Sequence, residues 1–242
     1  MKHKLLWGAA GAAAVVTLLA PLWAPPVLRR VAWFQVRSVE VSGTRFLTPQ
    51  RVLADAHVRR GQNVWDDPAA WESALLADPA IAAATVERRL PHTLRIRVRE
   101  KQPVAYVEDG TLRLVTAAGE ILPLDPTRTM IDLPVIRGEW TKMAAGERSA
   151  LLAEADRLSR IDPALLAGVS EIRAADSTAA VVVLEHRRAE IVLPAGAGAA
   201  RLAELRAVLE DLGHRVPADS PAPARVDLRF GDQIVVRLPS SV

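Results

Sequence analysis

Residues 86–105 read VERRLPHTLRIRVREKQPVA and hold the clearest pattern in the chain. Three apolar side chains, Leu94, Ile96 and Val98, alternate there with Arg95, Arg97 and Arg99. This alternation predicts a β-strand that buries one face and turns a row of arginines outward. Residues 85–90 precede the strand across a Pro-His turn, so the two segments predict a β-hairpin.

The residues before the hairpin predict one strand and two helices. Val39 and Val41 alternate with polar residues before Gly43, as in a half-buried strand. Thr48-Pro49 and Asp67-Pro68 each supply an N-cap residue followed by proline at the first helical position. With the hairpin, these elements predict a compact β-α-α-β-β domain over residues 34–103.

Residues 104–242 predict a second α+β domain with a mainly antiparallel sheet and helices on one of its faces. Short apolar segments between turn residues predict the strands, beginning with a meander over residues 104–122. Two amphipathic stretches predict helices near residues 148–158 and 198–212, the second of them ending at Gly213.

The chain ends in two predicted strands, residues 226–230 and 233–238, joined at Gly231-Asp232. If the last strand lies at the edge of the sheet, its unpaired N–H and C=O groups are able to recruit a strand from another protein. The residues alone leave open the alternative that this strand is buried inside the sheet.

The net positive charge of the chain comes from its first thirty residues. The net charge is +3, but residues 1–30 contain four Lys and Arg residues and no acid, so residues 31–242 carry −1. The arginine row at 95, 97 and 99 is either a solvated strand face or a surface for acidic lipid headgroups or an acidic partner. Because no aromatic residues are interleaved with it, nucleic-acid binding is not expected.

Residues 5–28 contain no charged side chain and are long enough to cross a membrane as one helix. Leu5 and Leu28 bound this predicted anchor, and Trp7 and Trp23 are placed to meet the two membrane interfaces. A cleaved signal peptide is the alternative, although the cut site is poor. The predicted organisation is an anchor at 1–30 followed by domains at 34–103 and 104–242.

The sequence lacks the patterns of common catalytic and metal sites. It has no cysteine, and its five histidines have no spacing that would direct two of them at one metal. Gly196-Ala197-Gly198 follows a strand and opens a helix, as a phosphate loop would. However, position 201 is arginine, and the expected sheet is not of the parallel βαβ kind. We therefore expect no enzyme activity, no cofactor and no metal.

The order of these features resembles the bacterial cell-division family FtsQ/DivIB, over nearly the whole chain. The most specific part is the pattern V-E-R-x-x-P-x-T-L-x-I-x-V-x-E-x-x-P-V-A from Val86 to Ala105, together with VDLR at 226–229. The resemblance implies an inner-membrane protein with a cytoplasmic N-terminus, and with a POTRA domain and a β domain outside the cytoplasm. It implies a non-enzymatic scaffold at the division septum, with no small-molecule substrate.

The resemblance also implies FtsB- and FtsL-like partners and other divisome membrane proteins. In the family, FtsB adds a strand to the edge formed by the terminal strands, which is β-augmentation. A POTRA-bearing component of outer-membrane assembly or secretion is the alternative, but it would need tandem POTRA repeats or a barrel. The predicted partner-binding residues are Arg225, Val226, Phe230, Gln233, Ile234, Val235, Val236 and Arg237.

Overall fold

The computed structural model describes residues 26–59, 61–129, 131–184, 189–215 and 223–239. The described chain forms two compact units, which adjoin in sequence between Lys101 and Gln102. The predicted anchor residues Leu5, Trp7 and Trp23 lie outside the described residues, and Leu28 is within them. None of the helices described is both long and apolar enough to cross a membrane.

The first unit has the predicted β-α-α-β-β order, and its three strands form one sheet in the order β1-β3-β2. β3 pairs antiparallel with β2 and parallel with β1. Thr48 and Asp67 cap the two helices through their side chains, as their positions before proline predict. The elements are β1 (Ser38–Ser42), α1 (Pro49–Asp55), α2 (Pro68–Leu76), β2 (Ile81–Arg89) and β3 (Thr93–Glu100).

The apolar face of β3 forms the centre of the first unit. Leu94 and Ile96 are fully buried, as is Leu75 of α2. Gly43 ends β1 with φ +85°, and a Cβ atom at this position would lie 2.0 Å from the carbonyl oxygen of Val98. Glycine is therefore required for the close approach of the β1 turn to β3.

The second unit is one nine-stranded sheet in the order β12-β11-β10-β9-β8-β7-β4-β5-β6. The helices of this unit are α3 (Pro126–Thr129), α4 (Ala145–Ile161), α5 (Pro163–Leu166) and α6 (Ala199–Arg215). The strands are β4 (Pro103–Asp109), β5 (Thr111–Thr116), β6 (Ile121–Leu122), β7 (Val135–Ile136), β8 (Val169–Asp176), β9 (Ala179–Leu184), β10 (Ala189–Pro194), β11 (Ala224–Asp227) and β12 (Val235–Arg237).

The two long helices, α4 and α6, pack on one face of this sheet. Leu152 and Leu158 of α4 and Leu205 of α6 share a core with alternate residues of β9 and β10, among them Val182 and Ile191. The arrangement of helices on one face agrees with the prediction. Trp140, for which the sequence suggests no role, is buried in this core with the Arg148 guanidinium 5.4 Å from its ring centroid.

The sheet is more mixed than the sequence predicts, since three of its eight strand pairings are parallel. The parallel pairs are β4 with β7, β7 with β8, and β10 with β11. α4 and α5 form the crossover from β7 to β8, and α6 forms the crossover from β10 to β11. Crossover helices are the usual way to join parallel strands, whereas the prediction treated these helices only as a covering layer.

α6 extends three residues beyond Leu212, the last residue of the predicted helix. Gly213 is helical and the helix continues to Arg215, whose guanidinium lies 2.8 Å from the Asp211 carboxylate one turn earlier. An isolated glycine costs an exposed helix about 1 kcal/mol relative to alanine, which does not suffice to end it.

Candidate partner-binding edge

The last strand, β12, lies at one end of the nine-stranded sheet. It pairs antiparallel with β11, with Val236 opposite Val226 and Arg237 opposite Arg225. Among the described residues, no other strand pairs with β12. One side of β12 therefore presents backbone N–H and C=O groups that the sheet does not use.

The strands at this edge are shorter than predicted. Arg225 and Val226 lie in β11, and Val235, Val236 and Arg237 lie in β12. The predicted strand residues Phe230, Gln233 and Ile234 belong instead to the loop that joins the two strands. The sequence prediction of strands over 226–230 and 233–238 is wrong at these three positions and also at Leu228, Arg229 and Leu238.

One arginine of α6 binds carbonyl groups of this loop. Nη2 of Arg201 donates to the carbonyl oxygens of Phe230, of Gln233 at 2.6 Å and of Leu228 at 3.4 Å. Nη1 of the same side chain pairs with Glu204. Arg201 thus fixes the position from which β12 begins.

The exposure of the predicted residues separates those that support the edge from those that lie on its surface. Val226 is fully buried, and Ile234 packs partly against the core. Phe230 and Val236 are exposed, as is Leu238 immediately after β12. An added strand would therefore contact Phe230, Val236 and Leu238, whereas Val226 and Ile234 hold the edge in place.

A shallow cavity of about 220 Å³ lies at this edge. Asp227 in its lining accepts hydrogen bonds from the Arg229 guanidinium at 2.7 to 3.2 Å, and these bonds hold the pKa of the Asp227 carboxyl below its usual value. Arg229 also reaches Asp176 at 3.2 Å. The lining residues are Arg225, Asp227, Arg229, Phe230, Val235 and Arg237, so that positive charge predominates.

Charge at the edge is unevenly neutralised. Arg225 reaches Glu190 of β10 at 3.8 Å. Arg237 is directly opposite Arg225 and has no carboxylate partner within the part of the chain that the structure describes. Because like charges opposite each other in a sheet are unfavourable, this pair favours the approach of an acidic group.

Comparison with known proteins assigns both units. Residues 34–101 match the POTRA domain of the FtsQ type, and residues 105–229 match the C-terminal domain of the cell division protein FtsQ/DivIB. The chain belongs to the FtsQ/DivIB family. The C-terminal match ends at Arg229, so β12 lies beyond it.

Several curated FtsQ and DivIB proteins are similar to the chain. DivIB of Geobacillus kaustophilus is 35% identical over 140 residues, which are 57% of this chain and 51% of the relative. FtsQ of an Anaeromyxobacter species is 34% identical over 135 residues, 52% of this chain and 46% of the relative. FtsQ of Myxococcus fulvus is 29% identical over 190 residues, with 75% and 66% covered. The chain spans about half the length of the first two relatives.

The glycine-rich segment of this FtsQ/DivIB chain lies next to a parallel strand pair, which the sequence did not predict. Gly196-Ala197-Gly198 joins β10 to α6, and because β10 and β11 are parallel this is a βαβ crossover, contrary to the prediction. Its Ala197 carbonyl accepts a hydrogen bond from Arg157. Arg201, where the dinucleotide fingerprint requires a small residue, binds loop carbonyls of this chain. The segment therefore works as part of the core that supports the edge.

The arginine row of the POTRA domain is partly paired. Arg95 donates to Glu40 of β1 at 2.8 and 3.0 Å, and Arg97 donates to Glu87 of β2 at 2.6 Å. Arg99 is exposed. Two of the three arginines thus form cross-strand ion pairs, and a role of the row toward lipid or an acidic partner remains a prediction. In the described part of the chain, no cluster of three acidic or histidine side chains is arranged to hold a metal ion.

Sequence reasoning missed Arg201 as a residue of this edge. It noted the arginine only because it breaks the glycine-rich fingerprint. The three carbonyl groups that it binds lie 27 to 32 residues further along the chain, and no local pattern indicates such contacts.

Proposed function

We propose that the protein is a non-enzymatic scaffold of the division complex that binds FtsB- and FtsL-like partners by strand addition at β12. Residues 5–28 anchor it in the inner membrane at the septum, with the N-terminus cytoplasmic and both folded units outside. Membership of the FtsQ/DivIB family supports the division role. The position of β12 at the end of the sheet is the observation that carries the proposed binding mode.

The backbone geometry indicates which groups a partner strand would use. The Leu228 N–H donates to the carbonyl of Val192 on β10, at 2.9 Å. Because successive N–H groups in a strand point to opposite sides, the N–H of Asp227 points toward β12, where its paired residue is Val235. It follows that the N–H and C=O of Val236 point away from the sheet and toward an added strand.

The side chains at the edge suggest what the partner strand carries. Phe230, Val236 and Leu238 offer exposed apolar surface, and Arg237 offers a positive charge beside Arg225. The matching strand therefore combines apolar side chains with an acidic residue that lies next to Arg237.

The test is a proline at position 236. Val236→Pro removes the outward N–H donor of β12, and we expect partner affinity to fall about tenfold or more, as for the loss of a hydrogen bond worth about 1.4 kcal/mol. Affinity is measured by titrating a purified FtsB-like partner, with co-purification from cells as a second readout.

The matched control is Val236→Thr, which keeps the branched side chain and the N–H donor and should bind nearly as the original chain does. Circular dichroism and thermal unfolding verify that both variants fold. A folded Val236→Pro variant that binds the partner with unchanged affinity would contradict strand addition at β12.

A further inference from the structure

One end of the first unit exposes several large apolar side chains. Val27, Val31, Trp33 and Leu90 have exposed fractions of 52%, 39%, 62% and 56%. Exposed apolar residues are common singly, but a group of them at one end of a small domain indicates contact with something else. We call this group, together with the arginines described below, the anchor-proximal face.

Hydrogen bonds hold these residues at the same end of the unit. The Asn63 side chain donates to the carbonyls of Arg29 at 3.2 Å and Val31 at 3.1 Å. The next residue, Val64, accepts a hydrogen bond at 2.7 Å from Arg88 near the end of β2. Leu90 follows that strand at the tip of the β2–β3 hairpin. The segment after residue 26 and the hairpin tip therefore form one surface.

The position of Trp33 is fixed by its neighbour. Phe34 packs edge-on against Trp65, with ring centroids 6.0 Å apart. The carbonyl of Phe34 accepts a hydrogen bond from Val64 N–H at 2.9 Å, and Val36 N–H donates to Gln62 at 2.9 Å. Because the backbone on the C-terminal side of Trp33 is held in this way, the exposed indole is presented outward on a stable support.

The face is positively charged as well as apolar. Arg30, Arg37 and Arg89 are exposed, and none of them forms an ion pair among the residues that the structure describes. Arg37 N–H donates to His92 O at 2.9 Å, which places it beside the hairpin tip. Tryptophan with arginine and scattered aliphatic residues is the composition of protein surfaces that lie in the headgroup region of a membrane.

The preceding chain favours a membrane as the occupant of this face. The uncharged segment of residues 5–28 ends within the face itself, at Leu28, whose carbonyl accepts a hydrogen bond from Asn63 at 3.4 Å. A helix that leaves a bilayer at this point holds the adjacent surface at the headgroups. Anionic lipids attract unpaired arginines there.

We propose that the anchor-proximal face docks on the bilayer, with Trp33 and Leu90 in the headgroup region and Arg30, Arg37 and Arg89 on anionic lipid phosphates. This inference rests on the proposed function in one respect, the anchoring of the chain by residues 5–28. It adds that the first unit has a fixed membrane-facing end.

The chain has no cysteine, so single labelling sites can be introduced without removing others. Full-length Trp33→Cys and Leu90→Cys variants are labelled with an environment-sensitive fluorophore and reconstituted into vesicles with and without phosphatidylglycerol. Lipids that carry quenchers at defined depths then report the position of each label. We expect a depth of about 5–10 Å in the headgroup and acyl boundary for both labels.

Leu76→Cys is the matched control, since Leu76 is also an exposed leucine of the first unit, with an exposed fraction of 50%. Leu76 is the last residue of α2 and lies near the start of β2. The hairpin tip follows the other end of β2, about 27 Å away along this nine-residue strand. Its label should show no lipid quenching. Equal quenching at positions 33, 76 and 90 would overturn the proposal.

Charge reversal separates lipid contact from simple proximity. Arg30→Glu with Arg89→Glu should reduce quenching at position 33 in phosphatidylglycerol vesicles and have no effect in neutral ones. Labels that stay unquenched in vesicles and are shielded only when other division proteins are added would mean that a protein covers the face, which overturns the proposal.

Extraction distinguishes a failure of this inference from a failure of the anchor. If alkaline carbonate releases the full chain from vesicles, residues 5–28 do not span, and the membrane part of the proposed function fails with the inference. If the chain resists extraction and the label at position 33 is unquenched, the inference alone fails.

Discussion

Glu100, at the end of β3, holds the loop that leads from β1 to α1. Its carboxylate is buried and accepts hydrogen bonds from the backbone N–H groups of Arg45, Phe46 and Leu47 at 2.7 to 2.9 Å. Charge-assisted bonds of this kind are among the stronger ones in proteins. This single side chain therefore joins two parts of the chain more than fifty residues apart.

We expect Glu100→Gln to lower the free energy of unfolding by about 2–3 kcal/mol, because the amide accepts through one oxygen only and leaves a buried N–H unpaired. Urea unfolding followed by circular dichroism measures the change. Glu139→Gln, at an exposed ion pair with Lys142, is the control and should change stability by less than about 1 kcal/mol. Equal urea midpoints for the two variants would contradict this role of Glu100.

Asp55 at the end of α1 predicts a dependence of stability on pH. Burial, and next the neighbouring carboxylate of Asp78, raise the pKa of Asp55 above its ordinary value. A raised pKa means that the folded state favours the protonated form. The contribution of this group to stability is therefore complete below the ordinary pKa and is lost as pH rises through the folded-state pKa.

Asparagine cannot ionise, so replacing Asp55 by asparagine removes the free-energy cost of a charged side chain at this site. We expect Asp55→Asn to raise the free energy of unfolding at pH 7 by less than about 1 kcal/mol, since the charge also pairs with Arg51 at 3.8 Å. The gain should disappear near pH 3. Urea midpoints measured at both pH values provide the test, and a gain that is larger at pH 3 than at pH 7 would refute it.

The helix α6 holds the loop from which β12 begins. Arg201 extends from the first turn of this helix to three carbonyl groups of the β11–β12 loop. Without this side chain the three carbonyls would have to accept hydrogen bonds from water. The loop would then be held less firmly, and β12 would lose its fixed starting point. The edge is therefore a property of the helix and the two strands together.

We expect Arg201→Ala to increase hydrogen exchange over residues 228–237 and to weaken partner binding, while α6 remains folded because its apolar face is unchanged. The loss of stability should be about 1 kcal/mol, because the contacts of Arg201 with Phe230 and Gln233 are exposed and water can replace them. Exchange followed by mass spectrometry localises the effect. Arg215→Ala on the same helix is the control, and the same exchange pattern in both variants would argue against the role of Arg201.

The distribution of charge along the chain agrees with an anchored protein. The four basic residues within positions 1–30 flank the uncharged segment, and the remainder of the chain carries −1. The counts on the two sides of the segment are nearly equal, so charge by itself does not set the orientation. The proposed function sets the orientation, with the C-terminus outside the cytoplasm.

A reporter that is active only outside the cytoplasm, fused after Val242, should therefore be active. The same reporter fused to the N-terminus should be silent, although both fusions are expressed at similar levels. Activity of the N-terminal fusion together with silence of the C-terminal one would reverse the topology.

The sequence predicted the first unit well because its signals are local. The alternation at 94–99 has the period of a strand, and Thr48-Pro49 and Asp67-Pro68 place helix starts through hydrogen bonds within one turn. The second unit was predicted less completely. Short strands such as Val135–Ile136 contain too few residues for any pattern to state which neighbour they pair with.

Local sequence patterns were enough to predict the order of elements in the first unit, the apolar face of β3, and the resemblance to the FtsQ/DivIB family. The folded chain was needed to reveal the parallel pairings, the place of β12 at the end of the sheet, and the contact of Arg201 with the loop. This difference follows from the range of the forces involved. Periodicity and capping act within a few residues, whereas strand order and carbonyl contacts depend on groups that meet only after the chain has folded.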